Sequence, residues 1–376
     1  MDLEFNEQEK MIRAMARDFA SKTVSPQASE IDAAGKFPTE IVNEMSKLQF
    51  FGIPFPKKYG GVGASWQSYV LAIEQLSYPI LFCGALIAVE ALSAQPIFHF
   101  GTEEQKQKYL VPVLSGEKLS RLGFTESMTG SDPEAIVSRA SRSGEEYIIT
   151  GEKNFVTPAA WADVLVAFAR DDTEKLSAFI IDIPCKGLEI GKPIDTLGMK
   201  GAGACPVSLN EVHVPLKNLL GEPARGYNIL LEGVNVSKLG IAAAGVGLSQ
   251  AALDMSLDYA RQRIVYGKPL SLMSNIQYLL AEMVSRIESI RWLTYRAASL
   301  KDSAGTSFPQ FSAIAKLHSA EVATDVTTMA MQIHGAYGFT TDLQIERLYR
   351  DARAIGIIEG SSEIQRTIIA NNLAQN

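Results

Sequence analysis

The sequence predicts an α+β fold: an N-terminal helical domain, a central β domain of barrel or sandwich type, and a C-terminal helical bundle. Two observations carry this. The spacing of apolar residues changes from a helical period to an alternating one and then back again along the 376-residue chain. No short repeat or low-complexity linker separates the blocks, so they are expected to pack on one another. The expected domains are residues 1–121, 122–230 and 231–376. With 47% apolar residues the chain has enough material for a large core, and its length suits two or three subdomains.

In the first block Asn6 and Glu9 stand at capping-box spacing. Met11, Ile12, Met15, Ala16 and Phe19 follow at helical intervals until Pro26. "KKYGG" at 57–61 reads as a turn. Thr102 and Gln105 form a second capping pair, on a helix expected to stop near Pro112. In the second block "EEYIITGEKNFVT", "ADVLVAFAR", "SAFIIDI" and "PVSLNEVHVP" read as strands, rich in β-branched and aromatic residues and parted by Gly, Pro and Asp turns. In the third, helical spacing runs over 239–264, 275–302, 311–333 and 362–374, and Pro269 and Pro309 fall between runs. A cleft is expected where the three blocks meet, and such junctions commonly bind ligands.

Composition excludes several classes. A net charge of −7 with no basic tract argues against nucleic acid as a partner. Cys83, Cys185 and Cys205 form no CxxC pair, which fits a reducing compartment and no disulfide framework or cysteine zinc site. His99, His213, His318 and His334 are scattered, so no metal site is expected. There is no GxGxxG after a strand, no phosphate-binding loop, no HExxH and no GxSxG. "GVGLSQ" at 245–250 lies inside a helical run, where small residues serve close packing. No run of about twenty consecutive apolar residues appears, so no membrane span is expected. The acidic start "MDLEFNEQEK" is unlike a targeting presequence, and the expected location is the cytoplasm.

Five segments carry candidate chemistry, each with a plain structural alternative. "GFTESMTGSDP" at 123–133 offers Thr125, Thr129, Gly130 and Ser131 to a flat heterocycle or an anion, or is an ordinary capped turn. In "GEKNFVT" at 151–157, Phe155 and Thr157 alternate on a strand and share a face; the pair would suit a flavin ring or simply a half-buried strand. Arg261 and Arg263 close a helix, as dipole partners or phosphate donors. "MQIHGAYGF" at 331–339 places Gln332 at a helix end as a cap or ligand contact, with His334 read as structural. In "ARAIGIIEGSSEIQR" at 352–366, Glu359 is set in an apolar run ahead of a helix whose capping box is read as Ser362 and Gln365. The helix dipole lowers its pKa and apolar neighbours raise it, and a carboxylate so balanced suits a base near neutral pH.

Taken in order, "YGG" at 59–61, "GTEEQKQKYL", "FTESMTGSDP", "GEKNFVT", "RQRIVYGKP", "MQIHGAYGF", "RLYRDAR" and "EGSSEIQR" resemble the acyl-CoA dehydrogenase family over essentially the whole chain. The resemblance implies a helical domain, a β domain and a C-terminal four-helix bundle. It implies FAD, an acyl-CoA substrate, an electron-transferring flavoprotein as acceptor, and a homotetramer. Glu359 matches the family's α-proton base, with hydride passing to flavin N5. Thr125, Gly130 and Ser131 match flavin and acyl-thioester contacts, Phe155 and Thr157 the ring contacts. Arg263, Tyr266, Gln332 and Gly335 match residues reaching a neighbouring subunit's FAD. Ser361 and Glu363 fall on further FAD positions, and Ser131, Asn235, Lys238 and Gly360 on substrate positions.

Lys238 stands where relatives carry Arg, and Asn235 where they carry Asp, on a helix that meets the CoA tail in the family. This opens the alternative of a carrier-protein-bound acyl group. The reverse reaction, enoyl-CoA reduction, is a second alternative. Glu90, on the helix matching the family's acyl pocket, is read as a helix-end carboxylate in water, or as facing a polar acyl tail. The expected substrate is a short or medium acyl-CoA.

Overall fold

The computed structural model describes residues 4–375. Among the described residues, α-helical segments precede the first strand: α1 (Glu7–Phe19), α2 (Ala28–Ala34), α3 (Thr39–Lys47), α4 (Trp66–Ser77), α5 (Leu81–Phe100), α6 (Glu103–Gln105) and α7 (Val111–Leu114). The two capping boxes predicted in the first block form, Asn6 with Glu9 and Thr102 with Gln105. The helix after Thr102 ends near Pro112, as expected. It passes through a π turn (106–110) and runs on to Leu114, with Pro112 in the first turn of α7, where the missing N–H costs little.

The strands are β1 (Ser120–Gly123), β2 (Arg139–Ser143), β3 (Glu146–Val156), β4 (Val164–Arg170), β5 (Leu176–Asp182), β6 (Leu188–Ile190), β7 (Cys205–Pro215) and β8 (Leu219–Leu220). They form one mixed sheet in the order β6-β7-β3-β2-β4-β5-β8, with β1 parallel to β4. Strand β4 shows why burial there does not alternate. Val164, Val166 and Phe168 face α5, α7 and the helical side, while Leu165, Ala167 and Ala169 face a core enclosed by the sheet with Ile149, Phe179 and Val207.

After β8 the long helix α8 (Gly226–Gln262) begins, followed by a ribbon of β9 (Ile264–Val265) and β10 (Lys268–Pro269). Then come α9 (Ser274–Asp302), α10 (Phe308–His334), α11 (Ile345–Ile355) and α12 (Ser362–Gln375). Glycines let α8 lie close to its neighbours. A Cβ on Gly247 would sit 2.0 Å from the Glu74 carbonyl oxygen, and one on Gly245 2.1 Å from Ser319 Oγ, so "GVGLSQ" is a packing segment. Gly233 sits against the Leu92 carbonyl, which Pro96 leaves without its helical donor.

Helices α5 and α8 are long and apolar enough to cross a membrane, with mean hydropathies of 1.7 and 1.4 over their best windows. Neither is an uninterrupted apolar run, since α5 carries Glu90 and Gln95 and α8 carries Lys238 and Gln250. Both are core helices, covered by the rest of the chain.

Glu90 also departs from expectation. It lies in the middle of α5, fully buried, not at a helix end in water and not aimed at a ligand. Its Oε1 accepts from the Ser120 N–H and Oγ, each at 2.8 Å, and its Oε2 from Arg121 Nη1 at 2.6 Å. A buried carboxylate needs such a partner. The pair ties α5 to β1.

Candidate active site

Glu359 sits in the short link between α11 and α12 with φ +54°, followed by Gly360 at φ +83°. Two successive left-handed residues turn the chain sharply, and at a glutamate that conformation is strained. The link is held from three sides. Lys316 Nζ donates to the Gly360 carbonyl at 2.5 Å, Gln365 Nε2 to the same oxygen at 2.8 Å, and the Ser362 N–H to the Gly356 carbonyl at 3.1 Å. The predicted capping box is thus corrected. Ser361, not Ser362, offers its Oγ to the Ile364 N–H, at 3.4 Å, and Gln365 reaches back to carbonyls rather than to an N–H. Among the described residues the Glu359 N–H has no acceptor.

Glu359 is half-buried as a residue, and protein atoms crowd around its carboxylate. Burial pushes its pKa above the ordinary glutamate value, while Ser237, Lys316 and Lys238 pull the other way. Ser237 Oγ stands close enough to favour the ionised form yet makes no hydrogen bond of ordinary length. Lys316 and Lys238 are themselves buried, and desolvation brings both ammonium groups down to about 8. The Tyr69 phenol also faces the carboxylate; burial and that charge both hold its proton on.

Lys238 is 1% exposed, and its Nζ donates to Asn235 Oδ1 at 3.2 Å. A side chain so enclosed has no face for a nucleotide tail. Lys238, which the resemblance places among the substrate positions, has its ammonium in the surroundings of Glu359.

A second group gathers at the rim of the β domain. The Asn154 N–H donates to the Thr125 carbonyl at 2.8 Å, joining the Thr125–Ser131 loop to β3. Beneath it, buried Glu126 accepts from Lys153 Nζ at 2.6 Å, Ser138 Oγ at 2.5 Å and the Val137 N–H at 2.7 Å. Burial alone would raise the Glu126 pKa; these donors outweigh it and hold the carboxyl below its ordinary range. Thr129 turns inward to Asp132, whereas Gly130 and Ser131 are exposed. Phe155 is 61% exposed. Regular alternation is not what aims it. The β3–β7 pairing shifts register between Lys153 and Val156, Phe155 takes φ +56°, and Thr157 lies beyond the strand with its Oγ1 donating to the Phe155 carbonyl at 3.0 Å.

A third group lies elsewhere. Arg263 caps α8 and its guanidinium lies 6.0 Å from the centre of the Tyr337 ring. Tyr266, in the β9–β10 turn, is 93% exposed at φ +50°. Gln332 and Gly335 are exposed at the end of α10. His334 is structural as expected, stacked on Tyr259 with Nδ1 bonded to the Ala330 carbonyl. Arg263 is 25 residues beyond Lys238 on one continuous helix, about 37 Å along its axis at 1.5 Å per residue.

Sequence reasoning missed Tyr69, Lys316 and the Glu126–Lys153 pair. Lys316 left a signal, as a lone cation in the apolar run "FSAIAKL".

Three stretches match family models described as "Acyl-CoA dehydrogenase, N-terminal domain" at 6–117, "middle domain" at 122–212 and "C-terminal domain" at 224–374. The chain belongs to the acyl-CoA dehydrogenase family. It is 39% identical over 378 residues to a short-chain specific acyl-CoA dehydrogenase of Clostridium acetobutylicum, covering 99% of this chain and 100% of that one. It is 36% identical over 375 residues to CarC, a subunit of the caffeyl-CoA reductase–Etf complex of Acetobacterium woodii, covering 98% and 99%. The butyryl-CoA dehydrogenase structure from Megasphaera elsdenii superposes with a TM-score of 0.97 at 33% identity, over the whole of both chains. This acyl-CoA dehydrogenase family member is an oxidoreductase, and FAD, which solved neighbours of its fold carry, is its cofactor. The rim residues fit a flat ring system. A solvent-facing phenyl is locked in a left-handed conformation beside an open loop with free hydroxyls.

Proposed function

We propose that the protein dehydrogenates a short- or medium-chain acyl-CoA thioester between Cα and Cβ, with Glu359 as the base for the α-proton. The observation that carries this is the Glu359 carboxylate itself: left-handed, desolvated, raised in pKa and faced by two buried cations. Desolvation makes it a stronger base, and Lys238 and Lys316 keep enough of it ionised to act near neutral pH. The Glu359 N–H, without an acceptor among the described residues, would donate to the developing charge on a thioester oxygen. Thr125, Gly130, Ser131, Phe155 and Thr157 would hold the isoalloxazine, and Ser361 and Glu363 flank it from the α12 side. Bound FAD supplies the acceptor for the β-hydrogen. Arg263, Tyr266, Gln332 and Gly335 would serve the flavin of a second subunit, in a homotetramer. An electron-transferring flavoprotein is the proposed acceptor, in keeping with CarC belonging to an Etf complex.

The test is a panel of acyl-CoA thioesters with a dye acceptor, run on the wild type and Glu359→Gln. Turnover of short or medium thioesters that the Gln variant loses supports the reading. No turnover of any saturated acyl-CoA would sink it. The name of CarC favours one second reading, net reduction of an enoyl-CoA by the same residues with Glu359 giving its proton back. Faster turnover of enoyl-CoA with reduced flavoprotein than of acyl-CoA with the oxidised form would select it.

A further inference from the structure

We infer that Tyr69 is the floor of the acyl site and limits the substrate to a short chain. This rests on Glu359 being the base. The α-carbon must then lie against the Glu359 carboxylate, and the rest of the acyl chain must run from there into whatever space the helices leave.

The structure leaves little on the side of α4, α5 and α8. Tyr69, on α4, is 1% exposed, and its phenol feels the Glu359 charge. Behind the ring there is no room. A Cβ placed on Gly240 of α8 would lie 2.6 Å from Tyr69 Oη and 2.6 Å from the Ala88 Cβ of α5. The three helices therefore close directly around the phenol. Gly240 lies one turn beyond Ser237, which stands beside the same carboxylate. The ring is braced from its other edge by Trp66, 5.1 Å away and roughly perpendicular. So the tyrosine is fixed between the base and the helix junction.

Its hydroxyl is a second, independent sign. Tyr69 Oη is buried and has no hydrogen-bond partner among the described residues. A phenol in a finished core nearly always finds one. Here the polar tip is enclosed where α4 meets Gly240 of α8 and has no protein group to receive it, as expected at the end of a ligand site rather than in a finished core. Bulk and hydroxyl make different predictions, and variants separate them.

The experiment is a profile of kcat/KM against acyl chain length, from C4 to C12 CoA thioesters, for the holoenzyme and three variants. The wild type is expected to favour the shortest chains. Tyr69→Ala opens the space behind the ring and should raise the C8-to-C4 ratio about tenfold or more, since each methylene accommodated in an apolar pocket is worth roughly that much. Tyr69→Phe keeps the bulk and should leave the profile unchanged. Adding Gly240→Ala to Tyr69→Ala refills the junction and should bring the ratio back toward wild type. FAD content from the absorbance spectrum shows that each variant has folded; if Tyr69→Ala has not, Tyr69→Leu takes its place with a smaller shift expected. An unchanged profile in the Ala or Leu variant overturns the inference, as does a Phe variant that shifts as far as Ala. A wild type inactive on every thioester defeats the reading of Glu359 instead.

Discussion

Glu359 shows how one residue type is made reactive by where the backbone puts it. Folding raises its pKa, so within the window between the ordinary value of 4.5 and its folded value the native state binds more protons than the unfolded chain. Stability therefore falls as pH rises through that window, and at neutral pH the ionised carboxylate is a cost to the fold. Glu359→Gln removes that cost along with the base. We expect activity to drop on the order of 10²–10⁴-fold, with FAD content unchanged and a Tm at pH 7 equal to or above wild type. Differential scanning calorimetry beside a turnover assay checks both; a lower Tm or lost flavin would make Glu359 a structural residue. The base must be ionised in the free enzyme, so kcat/KM should rise with pH through a limb displaced above 4.5. Lys238→Met takes away one of the two cations facing it and should move that limb to higher pH. A limb that stays put or moves down would remove Lys238 from the surroundings of the base.

At the scale of elements, the junction of α5 with β1 depends on a buried ion pair. Removing one member of such a pair leaves the other charge uncompensated, typically at about 3–5 kcal/mol. Glu90→Gln keeps an acceptor for the Ser120 N–H but strands Arg121, two of whose nitrogens already lack partners. Arg121→Met strands the carboxylate. Each alone should lose stability in that range, and the double variant should recover more than half, as urea unfolding in a double-mutant cycle will show. Losses that simply add would mean that the two side chains do not stabilise each other. This pair also marks a limit of sequence reading. Glu90 and Arg121 are 31 residues apart on a helix and a strand, and no periodicity joins them. What was legible was local: the α-β-α order, both N-terminal capping boxes and the strand segments all follow from spacing within a few residues. What was not legible depends on packing. Phe155 was placed by alternation, but a bulge aims it; Lys238 was read from its place on the helix, and that it is buried beside Glu359 follows only from packing.

For the whole molecule, the candidate site was read from motifs, yet those motifs fall into separate places in one chain. The base lies in the link between α11 and α12 and the rim group on the β domain, while Arg263, Tyr266, Gln332 and Gly335 occupy an exposed end of the bundle. About 37 Å of α8 lies between Lys238 and Arg263. The far group also carries bulky residues that a lone chain leaves in water, Tyr266 at 93% and Phe339 at 90% exposure. On the outer face of α9, Tyr278 is 76% exposed and Val284 46%. Exposed apolar side chains beside a strained turn are expected where another copy of the chain will cover them. If the far group completes a neighbour's flavin site, each active site needs Glu359 from one subunit and Arg263 from another. Arg263→Ala should then lose flavin on dilution, although its own Glu359 is untouched. Glu359→Gln should keep flavin and lose turnover. Unfolding and refolding the two variants together places an intact Arg263 from one beside an intact Glu359 from the other. The mixture should show activity that neither variant shows alone, and light scattering should report an oligomer larger than one chain. A monomer that retains full flavin, or a mixture as inactive as its parts, would put the whole site within a single chain.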